Sequence, residues 1–101
     1  MSGLLGLIGL GYRGGRIIVG VDGVRKEVQA GKCWCVVVAE DASPRAVEKV
    51  VRLATAKGVP LLPGPRAAAI GAPLGKPPVM AVGVRDRALA GGMVQLAPGR
   101  S

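Results

Sequence analysis

The chain has no histidine and no phenylalanine, and its 101 residues include two cysteines, one tyrosine, one tryptophan and only six acidic side chains. Each shortage closes a class of function. Without histidine, the commonest neutral general base and a standard zinc ligand are missing. The thiols of Cys33 and Cys35 stand in "CWC", which is neither C-x-x-C nor half of a zinc knuckle. No thiol lies beside a plausible base, so no nucleophile constellation can be drawn. Glu40 and Asp41 are adjacent acids, but they end an apolar run just before Ser43-Pro44, where turn-making accounts for them. The sequence therefore reads as that of a protein that is not an enzyme and needs no metal and no cofactor. With so few aromatics it also lacks the platforms on which readers of single strands stack successive bases. A long apolar run is absent too. The opening "MSGLLGLIGLGY" has no basic segment before it and is too short to span a bilayer, so neither a secretion signal nor a membrane partner is expected.

What the chain does have is positive charge and aliphatic bulk. Fourteen Lys and Arg against six Asp and Glu leave a net charge of +8. Such an excess favours a polyanionic partner, RNA or DNA before an anionic membrane. Half the residues are hydrophobic, and the length supplies one core, so residues 1–101 are expected to form a single domain. On an extended strand the sulfurs of Cys33 and Cys35 would share one face, as buried thiols in a reducing cytosol.

The pattern of apolar residues alternates helix with strand. Residues 3–13 are apolar and fit either a helix or a buried strand. "RIIVG" is a β-branched strand, and "VDGVRKEVQAGK" places Val21, Val24 and Val28 on one helical face before a stop at Gly31. "CWCVVVAE" reads as a central strand covered on both sides. "SPRAVEKVVRLATAKG" is the clearest helix, with Ser43 placed to cap, Pro44 in the first turn and Gly58 closing it. Its Val47, Val50, Val51 and Ala54 form the apolar stripe, while Arg45, Lys49 and Arg52 face water and Glu48 can pair with Arg52. A short strand "VPLL", a short helix "PRAAAIG", the loop "APLGKPP" and a last strand "VMAVGV" follow. From Asp86 a helix is possible by pattern, but Gly91-Gly92 opposes it, and a loose tail is expected from about residue 91. The expected fold is a three-layer α/β/α sandwich with a central sheet of about four strands.

Gly9 to Gly14, "GLGYRG", matches the dinucleotide fingerprint G-x-G-x-x-G letter for letter. The fingerprint requires a strand before its first glycine and a helix opening at its last, so that helix amides meet the pyrophosphate. Here the residues after Gly14 are strand-like, and the residue twenty positions on is Trp34 rather than an acid. With 17 glycines in the chain, the match is coincidental.

The segment "LIGLGYRGGRIIVG" from Leu7 resembles the opening of bacterial YlxQ-like proteins, members of the kink-turn RNA-binding ribosomal protein family of the archaeal L-seven-Ae type. The resemblance continues through "VGVDGVRKEVQAGK", "VVVAEDASP" and "IGAPLGKPPVMAVGV", in order, over roughly residues 4 to 85. It implies a helix at "GLGYRG" and a site at the start of the second helix, which in the family meets sheared G·A pairs of a bent RNA. Carried over, Gly20 matches the family glycine there and Lys26 the family lysine. Asp22 stands where archaeal members have Asn, and Gly23 where they have Glu. Arg16 and Arg25 flank the site, with phosphate neutralisation as their expected role. The loop at Gly75, Lys76 and Pro77 would form the second wall, and Pro73 breaks into the short helix before it. An ionised Asp22 cannot donate a hydrogen bond as an amide does, but it accepts one from a guanine amino group. The resemblance thus implies a cytoplasmic, ribosome-associated binder of structured RNA, monomeric when free. The alternative is a protein–protein interaction module of the same fold that has lost RNA binding.

Overall fold

The computed structural model describes residues 3–96. In chain order the elements are α1 (Gly3–Arg13), β1 (Ile17–Val19), α2 (Val21–Gln29), β2 (Cys35–Val38), α3 (Pro44–Lys57), β3 (Leu61–Pro63), α4 (Ala67–Gly71), a 3-10 turn (Ala72–Leu74), β4 (Ala81–Val84) and α5 (Arg87–Leu96). The four strands form one sheet in the order β1-β4-β2-β3. β4 is antiparallel to both neighbours, with Ile17 and Cys35 opposite Val84, and β2 runs parallel to β3 with α3 as the crossover.

Helices cover both faces, so the expected three-layer α/β/α sandwich on four strands is the observed one. On one face, Leu4 and Ile8 of α1, Ala67 and Ile70 of α4, and Ala90 and Met93 of α5 pack on Cys35, Val37, Val82 and Val84. On the other, Val24 and Val28 of α2 and Val50 of α3 pack on Val36 and Ala81. The β2 run "CVVV" alternates between these clusters, which is why it is apolar throughout. Each fully buried Val or Ile stabilises the fold by about 1.5–3 kcal/mol.

The ambiguous run at residues 3–13 is a helix, with Leu4, Ile8 and Gly11 buried at i, i+4 and i+7. Gly11 is buried because α1 sits close to the sheet there. A Cβ on it would lie 2.5 Å from Leu89 Cδ2 and 2.7 Å from Ile17 Cγ1. The middle glycine of "GLGYRG" therefore serves helix packing, and the strand that follows puts the fingerprint in the reverse of its required order.

Three expectations are corrected. Cys33 and Cys35 do not share a face: Cys35 lies in the α1/α5 cluster and Cys33 in the α2/α3 cluster. β2 begins only at Cys35, so the alternation that governs a strand does not extend back through Trp34 to Cys33. Both thiols are free and buried. Ser43 occupies the cap position of α3 but makes no side-chain cap hydrogen bond, leaving Pro44 in the first turn and left-handed Gly58 to set the ends. Finally, α5 runs through Gly91 and Gly92 to Leu96, held by Ala90 and Met93 in the core. Packing offsets about 1 kcal/mol of helix propensity at each glycine. Residues 97–101 of the expected tail lie outside the described residues.

Arg45, Lys49 and Arg52 are exposed as expected, and Arg52 pairs with Glu48 at 3.3 Å. The Glu40–Asp41 pair has a structural duty. Asp41 Oδ1 accepts the amide of Ala67 at 2.8 Å, capping α4 from 26 residues away, and Glu40 meets Arg66 at 3.5 Å. These contacts anchor the segment that leads into the Gly75–Pro78 loop.

Candidate nucleic-acid interface

β1 ends at Val19, and the chain must turn at once into α2. Gly20 makes that turn with φ +99°, a conformation that strains any residue bearing a Cβ. Its amide donates to Ala81 O at 2.9 Å and its carbonyl accepts from Val24 N at 3.0 Å, so the helix start is tied to β4. No side chain caps α2, which leaves its leading amides without a side-chain acceptor at the positive end of the helix.

The second wall comes from the other end of the sequence. α4 tightens into the 3-10 turn that contains Pro73, and Gly75, left-handed at φ +68°, reverses the chain. Lys76 N donates to Gly71 O at 3.0 Å, and Val79 N to Ala67 O at 3.0 Å. Gly71 is what lets the loop lie this close: a Cβ there would run into the carbonyl oxygens of Pro77 and Lys76. The Lys76 ammonium lies 5.6 Å from the centroid of the Tyr12 ring, which holds its stem against α1.

These walls meet. Val19, Gly20 and Val21 on one side and Lys76, Pro77, Pro78, Val79 and Met80 on the other line a cleft of about 260 Å3. The structure thus brings Gly20 together with Lys76 and Pro77, which are far apart in sequence. Gly75 forms the turn beside them. Asp22, Gly23, Arg25 and Lys26 follow on the first turns of α2. Asp22 is almost fully exposed, and its 3.9 Å approach to Arg25 contributes little. Lys26 is exposed and has no ion-pair partner among the described residues. Gly23 has a packing role that its position in the motif did not reveal, because a Cβ there would lie 2.9 Å from Ile18 Cγ2.

Arg16 is not part of this cluster. It precedes β1 while Gly20 follows it, so the strand sets them on the order of 13 Å apart. The apolar lining of Val19, Val21, Val79 and Met80 was not among the expected site residues. The signal for it is the hydrophobic pair Val79-Met80 directly after the basic loop, where a loop bound only for water would continue polar.

An α/β/α sandwich with a glycine-initiated helix and a Gly-Lys-Pro-Pro loop lining one cleft is the class that fold and site define. Residues 5–90 match the model of the ribosomal protein L7Ae/L30e/S12e/Gadd45 family, and the chain belongs to that family. No curated protein sequence matches it. Among solved structures, a protein of unknown function from Bacillus halodurans superposes with a TM-score of 0.88 at 24% identity, covering 95% of this chain and 97% of that one. A Giardia lamblia 15.5 kD RNA-binding protein superposes with a TM-score of 0.76 at 24% identity, over 93% of this chain and 87% of that one. At that identity these two likenesses speak to the fold alone.

Proposed function

We propose that this protein binds structured RNA, a kink-turn or similarly bent helix, as a ribosomal or ribosome-associated component of the cytoplasm. It acts as a monomeric binder rather than a catalyst. The carrying observation is the cleft at which the Gly20 helix start and the Lys76–Pro78 loop converge. Family membership supports the same reading, and the Giardia lamblia RNA-binding protein carries the same fold.

The mechanism follows from the groups present. The uncapped amides of α2 face phosphate or base edges, Asp22 accepts from a guanine amino group, and Lys26 with Arg25 neutralises the close phosphates of a bend. The Val19–Val21 and Pro77–Met80 walls exclude water beneath a sugar edge. A salt titration tests this, comparing a kink-turn RNA with a plain duplex of equal length. Preference for the kink-turn that persists at physiological salt is the expected result. Equal, steeply salt-sensitive binding of both would leave only the +8 charge as the cause.

Asp22 and Gly23 favour the second reading, a protein–protein module of this fold without RNA binding. Asp22→Asn is the cleaner probe, since Gly23→Glu must displace Ile18. Affinity for the kink-turn that emerges only on restoring the amide would support the second reading.

A further inference from the structure

At the end of the sheet opposite the cleft, the ends of three adjacent strands bring Arg16, Arg85 and Trp34 to one rim. The order β1-β4-β2 and the register that sets Ile17 against Val84 put Arg16 level with Arg85, and Trp34, just before β2, lies against Val84 on the far side of β4, at about 4.8 Å per strand. Backbone bonds hold it: Arg85 N donates to Arg16 O at 2.8 Å, and Trp34 N to Val84 O at 2.8 Å. Arg87, opening α5, lays its guanidinium 5.7 Å from the centroid of the Trp34 ring. Trp34 is 51% exposed, one of three large hydrophobic side chains, with Leu10 and Leu96, that lie open among the described residues.

The charges at this rim are unequal. Its two acids are already engaged: Asp86 Oδ2 accepts the Leu89 amide at 2.8 Å, and Glu27 meets Arg85 Nε at 2.9 Å. Arg16 has no ion-pair partner among the described residues, and Arg87 has only the indole. A half-exposed indole with an arginine already over its ring, and a second arginine without a counter-ion two strands away at about 10 Å, suits a flat ligand with phosphates on either side.

We infer that Trp34, with Arg16 and Arg87, forms a second RNA contact that stacks one unpaired base and neutralises its flanking phosphates. The inference rests on the proposed RNA-binding role, but it uses none of the cleft residues. A single platform takes a single base, in keeping with the chain's poverty in aromatics. An acidic protein would meet the same charge, but it has no need of a half-exposed indole with Arg87 over its ring.

Trp34 is the sole tryptophan, so its fluorescence reports on this site alone. A short single-stranded oligoadenylate is expected to quench it, and an abasic oligonucleotide of the same length is not. Trp34→Ala should weaken oligoadenylate binding by roughly 5- to 150-fold, the usual range for losing one base–aromatic stack. Trp34→Phe should recover most of that affinity, and Lys26→Ala should leave the quenching unchanged. Circular dichroism checks that the variants fold. Equal quenching by the abasic strand, or unchanged oligoadenylate binding by Trp34→Ala, would overturn the inference and turn attention to a protein partner for this rim. The two readings fail separately. Loss of kink-turn preference with base-dependent quenching intact removes the cleft proposal alone, and the converse removes this one.

Discussion

Alanine at Gly9 and at Gly11 should move stability in opposite directions, although both positions lie within α1 and in the same glycine motif. Gly9 has no atom within 4 Å of the place its Cβ would take. There the exchange gains helix propensity, about 0.8–1 kcal/mol. At Gly11 the added methyl meets Leu89 Cδ2 at 2.5 Å and Ile17 Cγ1 at 2.7 Å, against an ordinary contact of 3.4 Å or more. Leu89 can turn aside, but Ile17 is a β-branched side chain on a paired strand and gives way only if α1 lifts from the sheet. Overpacking of this kind costs about 1–3 kcal/mol, and the propensity gain offsets about 1 of it. The two variants should therefore differ by about 2 kcal/mol, or on the order of 10 °C in Tm for a domain of this size. Urea and thermal melts followed by far-ultraviolet circular dichroism measure it. If Gly11→Ala proved as stable as Gly9→Ala, steric need would not explain that glycine, and a ligand role for the motif would have to be reconsidered.

At the cleft, Lys26→Ala should weaken kink-turn binding and reduce its salt slope by about 1, while Lys57→Ala at the far end of α3 should do neither. Equal effects in salt-dependent binding curves would argue against a localised site. Gly71→Ala drives a methyl into the Lys76 and Pro77 carbonyls, so it should lower both the urea midpoint and kink-turn affinity. Gly91→Ala, in open space, should lower neither. Burial lifts the Cys33 thiol from 9.0 to about 11, helped by Glu27, and that of Cys35 to about 12, helped by Cys33. The folded state therefore favours the protonated thiols, a contribution present in full below pH 9 and lost as pH rises through 11 to 12. Compared with a Cys33→Ala, Cys35→Ala double variant, the protein should lose denaturant resistance more steeply above pH 9. Parallel pH profiles would contradict the burial assignment.

Much of the architecture was legible because each element buries a periodic face. α3 has Val47, Val50 and Ala54 in the core at helical spacing, and β2 is apolar on both sides because two helical layers cover it. What escaped were features set by where a strand begins or how near two backbones come. The face of Cys33 depended on β2 starting two residues later, and the helicity of Gly91-Gly92 on a core contact at Met93. Of the site, the pairing of Gly20 with Lys76 and Pro77 was legible through resemblance to a family, not through spacing. The packing duties of Gly23 and Gly71 are invisible in sequence because each depends on how tightly the chain folds back on residues five or six positions away, Ile18 for Gly23 and Lys76 and Pro77 for Gly71. Arg16 was grouped with Gly20 by proximity in sequence, yet a strand of three residues carries it to the opposite rim.

The sheet order has a consequence in time. β1 pairs only with β4, and β4 also pairs with β2, so the strand made last lies between the first and the second. During synthesis, β1 and α2 emerge with no sheet edge to join until residues 81–84 follow. The Gly20 amide cannot reach Ala81 before then, so the first wall of the cleft stays untied, and the second is missing until residues 76–80 have been made. A chain that stopped short of β4 would carry much of the positive charge but not the geometry, so shape-selective binding doubles as a report that β4 has been made and paired.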